Sequence, residues 1–257
     1  MTYVREIESI VADLACRLHS ARIERRPVPT ITSSHASFTE ENAYEVQAAG
    51  IKLRTAAGEK IIGGKLGFTS RAMQLAMGVD CPNYGWLTDA MLIHDQTVRL
   101  ADFIHPKVEP EIAFLLGADL AGAVSNSDVL AATEAVMPCL EVVDSRFVDF
   151  KFAAFDNIAD NSSAAGVVFG RPTPIDELRL DLIGVALSEH GTVVHTAAGA
   201  AALDHPAAAV AFLANRQSLS AGQVVISGGL TSPIRLRPGS VVTAEFSDLG
   251  TVHLRAI

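Results

Sequence analysis

The feature that most constrains the fold is a series of short strand-like segments that begins at about residue 60. These segments are rich in aliphatic residues and are separated by Gly, Pro and Asp, which is typical of β-strands joined by tight turns. His190-Gly191 predicts a hairpin turn, with Leu180, Leu182 and Ala186 on one face of the strand before it. The predicted strands are 60–68, 107–116, 138–146, 165–169, 180–188, 192–196, 223–227, 241–246 and 251–256.

The first 59 residues have a helical pattern instead. Val4, Ile7, Val11, Leu14 and Leu18 recur at spacings of three and four, which predicts an amphipathic helix. Thr39 is a predicted N-cap for a second helix, and two further helices are predicted at 127–136 and 206–215. The predicted class is therefore α+β and β-rich, with a helical N-terminal region at 1–59 and a β-rich domain at 60–257.

Composition excludes several function classes. Hydrophobic residues make up 49% of the 257 residues, which is enough to bury a core. The 20 Lys and Arg residues against 29 Asp and Glu residues give a net charge of −9, which argues against nucleic acid or an anionic membrane surface as partner.

Charged residues near the start predict a cytoplasmic protein without a secretion signal. Phosphate-binding loops, a zinc-protease H-E-x-x-H and a G-x-S-x-G elbow are absent from the sequence.

Two glutamates lie two positions apart in the segment 105–114 (HPKVEPEIAF). Side chains alternate along a strand, so Glu109 and Glu111 share a face roughly 7 Å apart. Two carboxylates this close repel each other unless a cation or a proton lies between them. A hard divalent cation is one solution, and a solvated strand face is the alternative.

A third carboxylate lies in the apolar strand 138–146 (PCLEVVDSR). The aliphatic neighbours of Glu141 indicate burial, and a buried carboxylate needs a partner. That partner is either an ion pair with Arg146 or Lys151, or a divalent ion shared with Glu109 and Glu111. Three carboxylates with open positions suit Mg²⁺ or Mn²⁺.

Two further segments carry candidate functional groups. Lys65 lies between glycines in an apolar strand (GGKLGFTS), where burial would lower its pKa and make it an acid or base. The alternative is a surface lysine whose stem covers apolar neighbours. The segment 223–233 (QVVISGGLTSP) offers hydroxyls and backbone N–H groups to an anion, or is a plain tight turn.

These segments together resemble one enzyme family. KLGFTS, VEPEIAFLLG, PCLEVVDSR, DNIADNSSA and VVISGGLTSP follow one another as in the 4-oxalocrotonate decarboxylase and 2-hydroxypentadienoate hydratase family of the fumarylacetoacetate hydrolase superfamily. The resemblance runs from about residue 40 to the end of the sequence. It implies a mixed β-roll preceded by helical elements.

The resemblance also implies roles for individual residues. Glu109, Glu111 and Glu141 would hold Mg²⁺ or Mn²⁺, and Lys65 would be catalytic. Asp144 and Arg146 would hold the metal ligands in place without binding the ion themselves. The implied substrate-binding residues are Leu66, Asp160, Ser162, Ser227 and Thr231.

Two branches of this family, decarboxylases and hydratases, differ in their motifs. HPKVEPE and DSRFVDFKF favour the decarboxylase, which would release CO₂ from 2-oxohex-3-enedioate in the catabolism of aromatic compounds, whereas SSAAGVVFG is closer to the hydratases. For a decarboxylase, an apolar distal pocket is expected because only binding specific to the transition state accelerates the loss of CO₂. Phe150, Phe152 and Phe155 are candidates for it, with Arg146 and Lys151 at its margin.

Three alternatives stay open: 2-hydroxypenta-2,4-dienoate hydratase, C–C hydrolysis of acylpyruvates, and a non-catalytic metal-dependent binder of 2-oxo acids. C–C hydrolysis normally needs a water-activating His-Glu pair, which is not evident near Lys65. The resemblance further implies a homo-oligomer, a small 2-oxo or dienol diacid as substrate, and association of a decarboxylase with a partner hydratase.

Overall fold

The computed structural model describes residues 2–257, with side chains from residue 10 onward. The α-helices are α1 (Thr2–Glu24), α2 (Glu40–Ala56), α3 (Arg71–Met77), α4 (Asn126–Ala132), α5 (Ala154–Ala159) and α6 (Pro206–Ala214). The strands are β1 (Ile61–Gly67), β2 (Asn83–Thr88), β3 (Thr97–Val98), β4 (Lys107–Leu116), β5 (Thr133–Val143), β6 (Ala164–Phe169), β7 (Thr173–Pro174), β8 (Gly184–Glu189), β9 (Thr192–Ala198), β10 (Val224–Ile226), β11 (Ile234–Arg235), β12 (Val241–Phe246) and β13 (Gly250–Ala256).

The strands form two mixed sheets. The larger sheet has the order β2-β1-β10-β4-β5-β6, with β11 paired to β4 and β7 paired to β5. The smaller sheet has the order β3-β13-β12-β8-β9, and its strands β12 and β13 pack against β5. The predicted β-rich α+β class is confirmed.

The two faces of the larger sheet have different neighbours. On one face, Ile112, Phe114 and Leu140 are fully buried in the core shared with the smaller sheet. On the other face, Ala113 and Cys139 belong to a separate, smaller cluster. Glu109 and Glu111 alternate along β4 with Ala113, and Glu141 alternates along β5 with Cys139. The three glutamates therefore lie on the face of this second cluster, away from the main core.

The N-terminal helices pack against the β-rich part of the chain. Leu14 and Leu18 of α1 and Val46 of α2 share a core with Phe147 and Ile158. This agrees with the predicted amphipathic helix, although the side chains of Val4 and Ile7 lie outside the described residues. Thr39 forms the predicted cap, since its side chain accepts a hydrogen bond from Asn42 N. The division at residue 59 stays a prediction.

Each predicted strand overlaps an observed strand, but three predicted boundaries are wrong. β5 ends at Val143, so residues 144–146 of the predicted strand 138–146 lie beyond it. The predicted strand 180–188 starts only at Gly184; Leu180 is buried and Leu182 is 64% exposed, so their predicted shared face is wrong. The predicted helix 127–136 ends at Ala132, because residues 133–136 begin β5 and pair with β4. The turn at His190-Gly191 is confirmed, with both residues at positive φ between β8 and β9.

Among the residues that the structure describes, none of the helices combines the length and the apolar content that a membrane crossing requires.

Candidate active site

A cavity of about 400 Å³ lies beside the sheet face that carries the glutamates. Residues from distant parts of the sequence line it, because β1, β4 and the loops after β5 and β10 meet there. Those that matter for chemistry are Lys65, Lys107, Glu109, Phe150, Ser162 and Thr231.

The pairing of β4 with β5 brings the three glutamates together. Glu109 is directly opposite Glu141 in the antiparallel register, and Glu111 is opposite Cys139, one pair further along. One carboxylate oxygen from each glutamate lies within 4.8 Å of the others. This is the cluster that the same-face spacing of Glu109 and Glu111 predicts.

The unsatisfied oxygens of this cluster fit a divalent cation. Glu111 and Glu141 are fully buried, and no described protein group donates a hydrogen bond to Glu111 Oε1 or to Glu141 Oε1. Buried carboxylate oxygens without partners are costly, whereas oxygen-only ligand sets are what Mg²⁺ and Mn²⁺ prefer. Gly228 N donates to Glu111 Oε2 at 2.7 Å, which orients that carboxylate.

The glycines after β10 make room for this cluster. A Cβ at Gly229 would lie 2.3 Å from Glu109 Oε2, and a Cβ at Gly228 would lie 2.1 Å from Thr69 Oγ1. Gly228 also has a φ of 94°, which side chains rarely adopt. The S-G-G segment is therefore more than a plain turn, because only glycine lets its backbone approach Glu109 and Glu111.

Lys65 lies inside the carboxylate cluster, with its Nζ 3.1 Å from Glu141 Oε2. The residue is only 2% exposed, so the surface alternative is wrong. Burial alone would lower the pKa of Lys65, but the charges of Glu141, Glu111 and Glu109 outweigh burial and raise it. The predicted lowered pKa is therefore wrong for the metal-free site, because the sequence did not show that Lys65 faces all three carboxylates.

Metal affinity should rise with pH. Burial and the charge of Glu141 raise the pKa of Glu109 from 4.5 to about 7. Since the folded pKa is the higher one, the stability of the metal-free protein should fall as pH rises from 4.5 to about 7. A binding ion must displace this proton, so calorimetry should give a Mg²⁺ affinity at pH 8 roughly tenfold or more above that at pH 5.5. An affinity independent of pH would contradict this account.

The predicted substrate-binding residues separate into two groups. Leu66, Ser162 and Thr231 line the cavity. Ser227 is fully buried behind it, and its Oγ accepts a hydrogen bond from Ile112 N at 3.3 Å. Ser227 therefore fixes the end of β10 against β4 and does not line the cavity.

Asp160, Arg146 and Asp144 all lie behind the cavity, so Asp160 does not line it with the other predicted substrate-binding residues. Asp160 accepts hydrogen bonds from the side chain and the backbone N–H of Arg146, and both residues are buried behind the cavity. Asp144 accepts from Ile104 N and His105 N, each at 2.8 Å, and so holds the segment before β4. These three residues support the backbone around the site, and Arg146 does not supply charge to the cavity. Phe155 lies in a different surface depression.

Sequence reasoning missed two sets of residues in or next to the cavity. Lys107 shares the strand face of Glu109 and Glu111, and its Nζ lies 3.8 Å from the centre of the Phe150 ring. The alternation in β4 could have identified it. Asn83 and Asn157 form a buried hydrogen bond near Ser162. No local sequence pattern predicts this contact, because the two residues come from distant segments.

Comparison with known proteins decides the family. The model for the fumarylacetoacetate hydrolase C-terminal domain matches residues 64–256, about three quarters of the chain. The chain belongs to the fumarylacetoacetate hydrolase family. It is 36% identical over 255 residues to 4-oxalocrotonate decarboxylase of Pseudomonas sp. (strain CF600), covering 96% of this chain and 97% of that protein. It is 41% identical over 213 residues to 2-hydroxypent-2,4-dienoate hydratase of Pseudomonas putida, and the match covers 81% of this chain and 96% of that protein.

A solved structure of this family shares the whole fold. The 4-oxalocrotonate decarboxylase of Pseudomonas putida G7, complexed with magnesium and adipate, superposes with a TM-score of 0.94 at 36% identity. The match covers 97% of this chain and 98% of that chain. The predicted family membership and β-roll fold are therefore confirmed, and the relatives include both decarboxylases and hydratases.

Proposed function

We propose that this protein is a Mg²⁺- or Mn²⁺-dependent decarboxylase that converts 2-oxohex-3-enedioate (4-oxalocrotonate) into 2-hydroxypenta-2,4-dienoate and CO₂. The observation that carries the proposal is a cavity with the carboxylate cluster and Lys65 on one side and a second lysine, Lys107, on the same strand face as Glu109. A diacid substrate has two anionic ends to place, and this cavity offers a cationic group for each.

The reaction breaks the bond between C5 and the distal carboxyl carbon. The electron pair forms a C4–C5 double bond, the original alkene shifts to C2–C3, and the C2 oxygen takes a proton. An ion held by Glu109, Glu111 and Glu141 would supply a Lewis acid and a template for the carboxylate and keto oxygens of a 2-oxo acid. Lys65 places its ammonium group in the same cluster, where positive charge stabilises negative charge that develops on the substrate.

The distal end combines aromatic surface with positive charge. Phe150 and Phe152 line the cavity, and the ammonium group of Lys107 lies over the Phe150 ring. Lys107 is two residues from Glu109 along β4, roughly 7 Å, which is close to the span of a six-carbon diacid. Lys107 lies at the margin of this aromatic surface, where it attracts the distal carboxylate without a tight ion pair, which would stabilise the ground state and oppose release of neutral CO₂.

The second candidate is hydration of 2-hydroxypenta-2,4-dienoate, which the higher identity to the Pseudomonas putida hydratase favours. Comparing kcat/KM for the two substrates at one Mg²⁺ concentration distinguishes them. Decarboxylation of the six-carbon diacid should be the faster reaction. Hydration faster by tenfold, about 1.4 kcal/mol, would replace the proposal with the hydratase.

A variant of Lys107 tests the same proposal from the cavity. Lys107→Met should lower kcat/KM for the diacid by about tenfold and leave hydration of the five-carbon monoacid nearly unchanged, because only the diacid has a second carboxylate. Lys52→Met, at an exposed position of α2, is the matched control. Equal losses for both substrates would remove Lys107 from diacid recognition. A cytoplasmic location, a homo-oligomer and a partner hydratase stay predictions.

A further inference from the structure

A continuous chain of buried hydrogen bonds leads from Lys65 to helix α5. Lys65 Nζ donates to Ser162 O at 3.0 Å and to Ser162 Oγ at 3.3 Å. Ser162 Oγ donates to Asn83 Oδ1 at 2.9 Å, and Asn83 Nδ2 donates to Asn157 Oδ1 at 2.8 Å. Asn157 Nδ2 in turn donates to Ser163 Oγ at 2.9 Å. None of these side chains is more than 4% exposed.

The hydrogen bonds of this chain all run in one direction, away from Lys65. The Ser162 hydroxyl accepts from Lys65, and its own proton is therefore available to Asn83 Oδ1. Asn83 keeps its oxygen turned to Ser162 because its Nδ2 donates to Asn157. Together with the ion pair to Glu141 Oε2 at 3.1 Å, the two contacts with Ser162 give the Lys65 ammonium three oxygen neighbours.

The backbone that carries Ser162 is held in an unusual conformation. Asn161, Ser162 and Ser163 have φ values of 53°, 50° and 58°, in the left-handed region that non-glycine residues seldom occupy. Such a conformation persists only when its surroundings hold it in place. The side chain of Asn161 exchanges two hydrogen bonds with the backbone of Trp86, at 2.8 and 2.9 Å, and anchors one end of this turn.

Neighbouring glycines let the chain of bonds form. A Cβ at Gly67 would lie 2.3 Å from Asn83 Oδ1 and 2.5 Å from Ser162 Oγ, and a Cβ at Gly85 would lie 2.5 Å from Asn161 O. Two strands and a strained turn are therefore arranged around the contact between Ser162 and Asn83. This arrangement restricts the Lys65 side chain, which has four rotatable bonds, to a single position.

We propose that Asn83 is a positioning residue, which acts through Ser162 to hold Lys65 Nζ in its place within the carboxylate cluster. Asn157 completes the chain by orienting the Asn83 amide. The assignment deepens the proposed function and rests on it, because it takes Lys65 as the group that acts on the substrate.

A double-mutant cycle with Lys65 tests this assignment. Asn83→Leu should lower kcat by about tenfold, the scale of a slightly misplaced catalytic group, while KM and Mg²⁺ affinity change by less than about threefold because the glutamates remain. In a Lys65→Met background, Asn83→Leu should cause no further loss, since a positioning residue has nothing left to position. Asn83→Asp keeps the acceptor for the Ser162 hydroxyl. The Asn157 amide can turn to donate to the second carboxylate oxygen and accept from the Ser163 hydroxyl, so this variant should recover most of the activity.

Gln47 supplies the matched control. Its buried Nε2 donates to Tyr84 O and Ile158 O, each at 2.9 Å, so it connects β2 with α5 as Asn83 does, without touching Ser162. Gln47→Leu should lower the melting temperature about as much as Asn83→Leu and leave kcat near the wild-type value. An equal loss of kcat in Gln47→Leu, or a full further loss in the Lys65→Met background, would overturn the assignment.

The crystal structure of Asn83→Leu provides a readout independent of turnover. In this variant Lys65 Nζ should no longer contact Ser162, and an unchanged contact would overturn the assignment even if the wild type acts on neither substrate. Wild-type inactivity on both substrates would instead refute the proposed function, so the two failures are distinguishable.

Discussion

Lys65→Met should lower turnover of 2-oxohex-3-enedioate by at least about a hundredfold, the scale of general acid–base or charge-orienting effects. Methionine keeps the apolar stem of the side chain and removes the ammonium group that lies 3.1 Å from Glu141. Steady-state kinetics with saturating Mg²⁺ measure the loss. KM should change much less than kcat, because the three carboxylates are untouched.

Lys65→Arg separates the two roles open to this lysine. Arginine keeps the positive charge but does not give up a proton in proteins. Substantial activity in Lys65→Arg would assign Lys65 to charge stabilisation, and activity as low as in Lys65→Met would assign it to proton transfer. With Mg²⁺ present, the melting temperature of Lys65→Met should stay close to that of the wild type. A destabilised variant with normal kcat would show that Lys65 serves folding only.

Glu111→Gln should have opposite effects on metal binding and on the stability of the metal-free protein. Burial, then the charges of Glu141 and Glu109, raise the pKa of Glu111 well above its usual value, so the ionised cluster opposes folding. A neutral amide removes that repulsion and still accepts the hydrogen bond from Gly228 N. The metal-free variant should therefore melt at a higher temperature than the wild type, while its Mg²⁺ affinity should fall by at least about tenfold.

Glu134→Gln is the control for this variant. Glu134 lies on β5, the strand that carries Glu141, and its side chain is exposed. Thermal melts with EDTA and with Mg²⁺ should show no change in this control. Undiminished Mg²⁺ affinity in Glu111→Gln would remove Glu111 from the ligand set.

The sequence predicted those parts of the site that follow from alternation within one strand. Glu109 and Glu111 share a face because side chains alternate, and β4 has the predicted bounds, 107–116. Glu141 stood out because a carboxylate amid aliphatic residues needs a partner. The resemblance of five motifs to one family supplied the β-roll, which alternation alone does not specify.

Contacts between distant segments were beyond sequence reasoning. Asp160 and Arg146 lie near the cavity residues in sequence, but their buried pairing behind the cavity depends on where α5 packs. The chain from Asn83 to Ser162 joins residues 79 positions apart, and hydrogen bonds of this kind have no periodic signature. The raised pKa of Lys65 has the same origin, because it depends on charges from two other strands.

The most direct test of the account is CO₂ release from 2-oxohex-3-enedioate by the metal-stripped protein, measured before and after addition of Mg²⁺. The account predicts one CO₂ for each substrate consumed, with 2-hydroxypenta-2,4-dienoate appearing at the same rate, only after Mg²⁺ is added. CO₂ release at the same rate in EDTA, or dienoate hydration without release of CO₂ from the diacid, would contradict it.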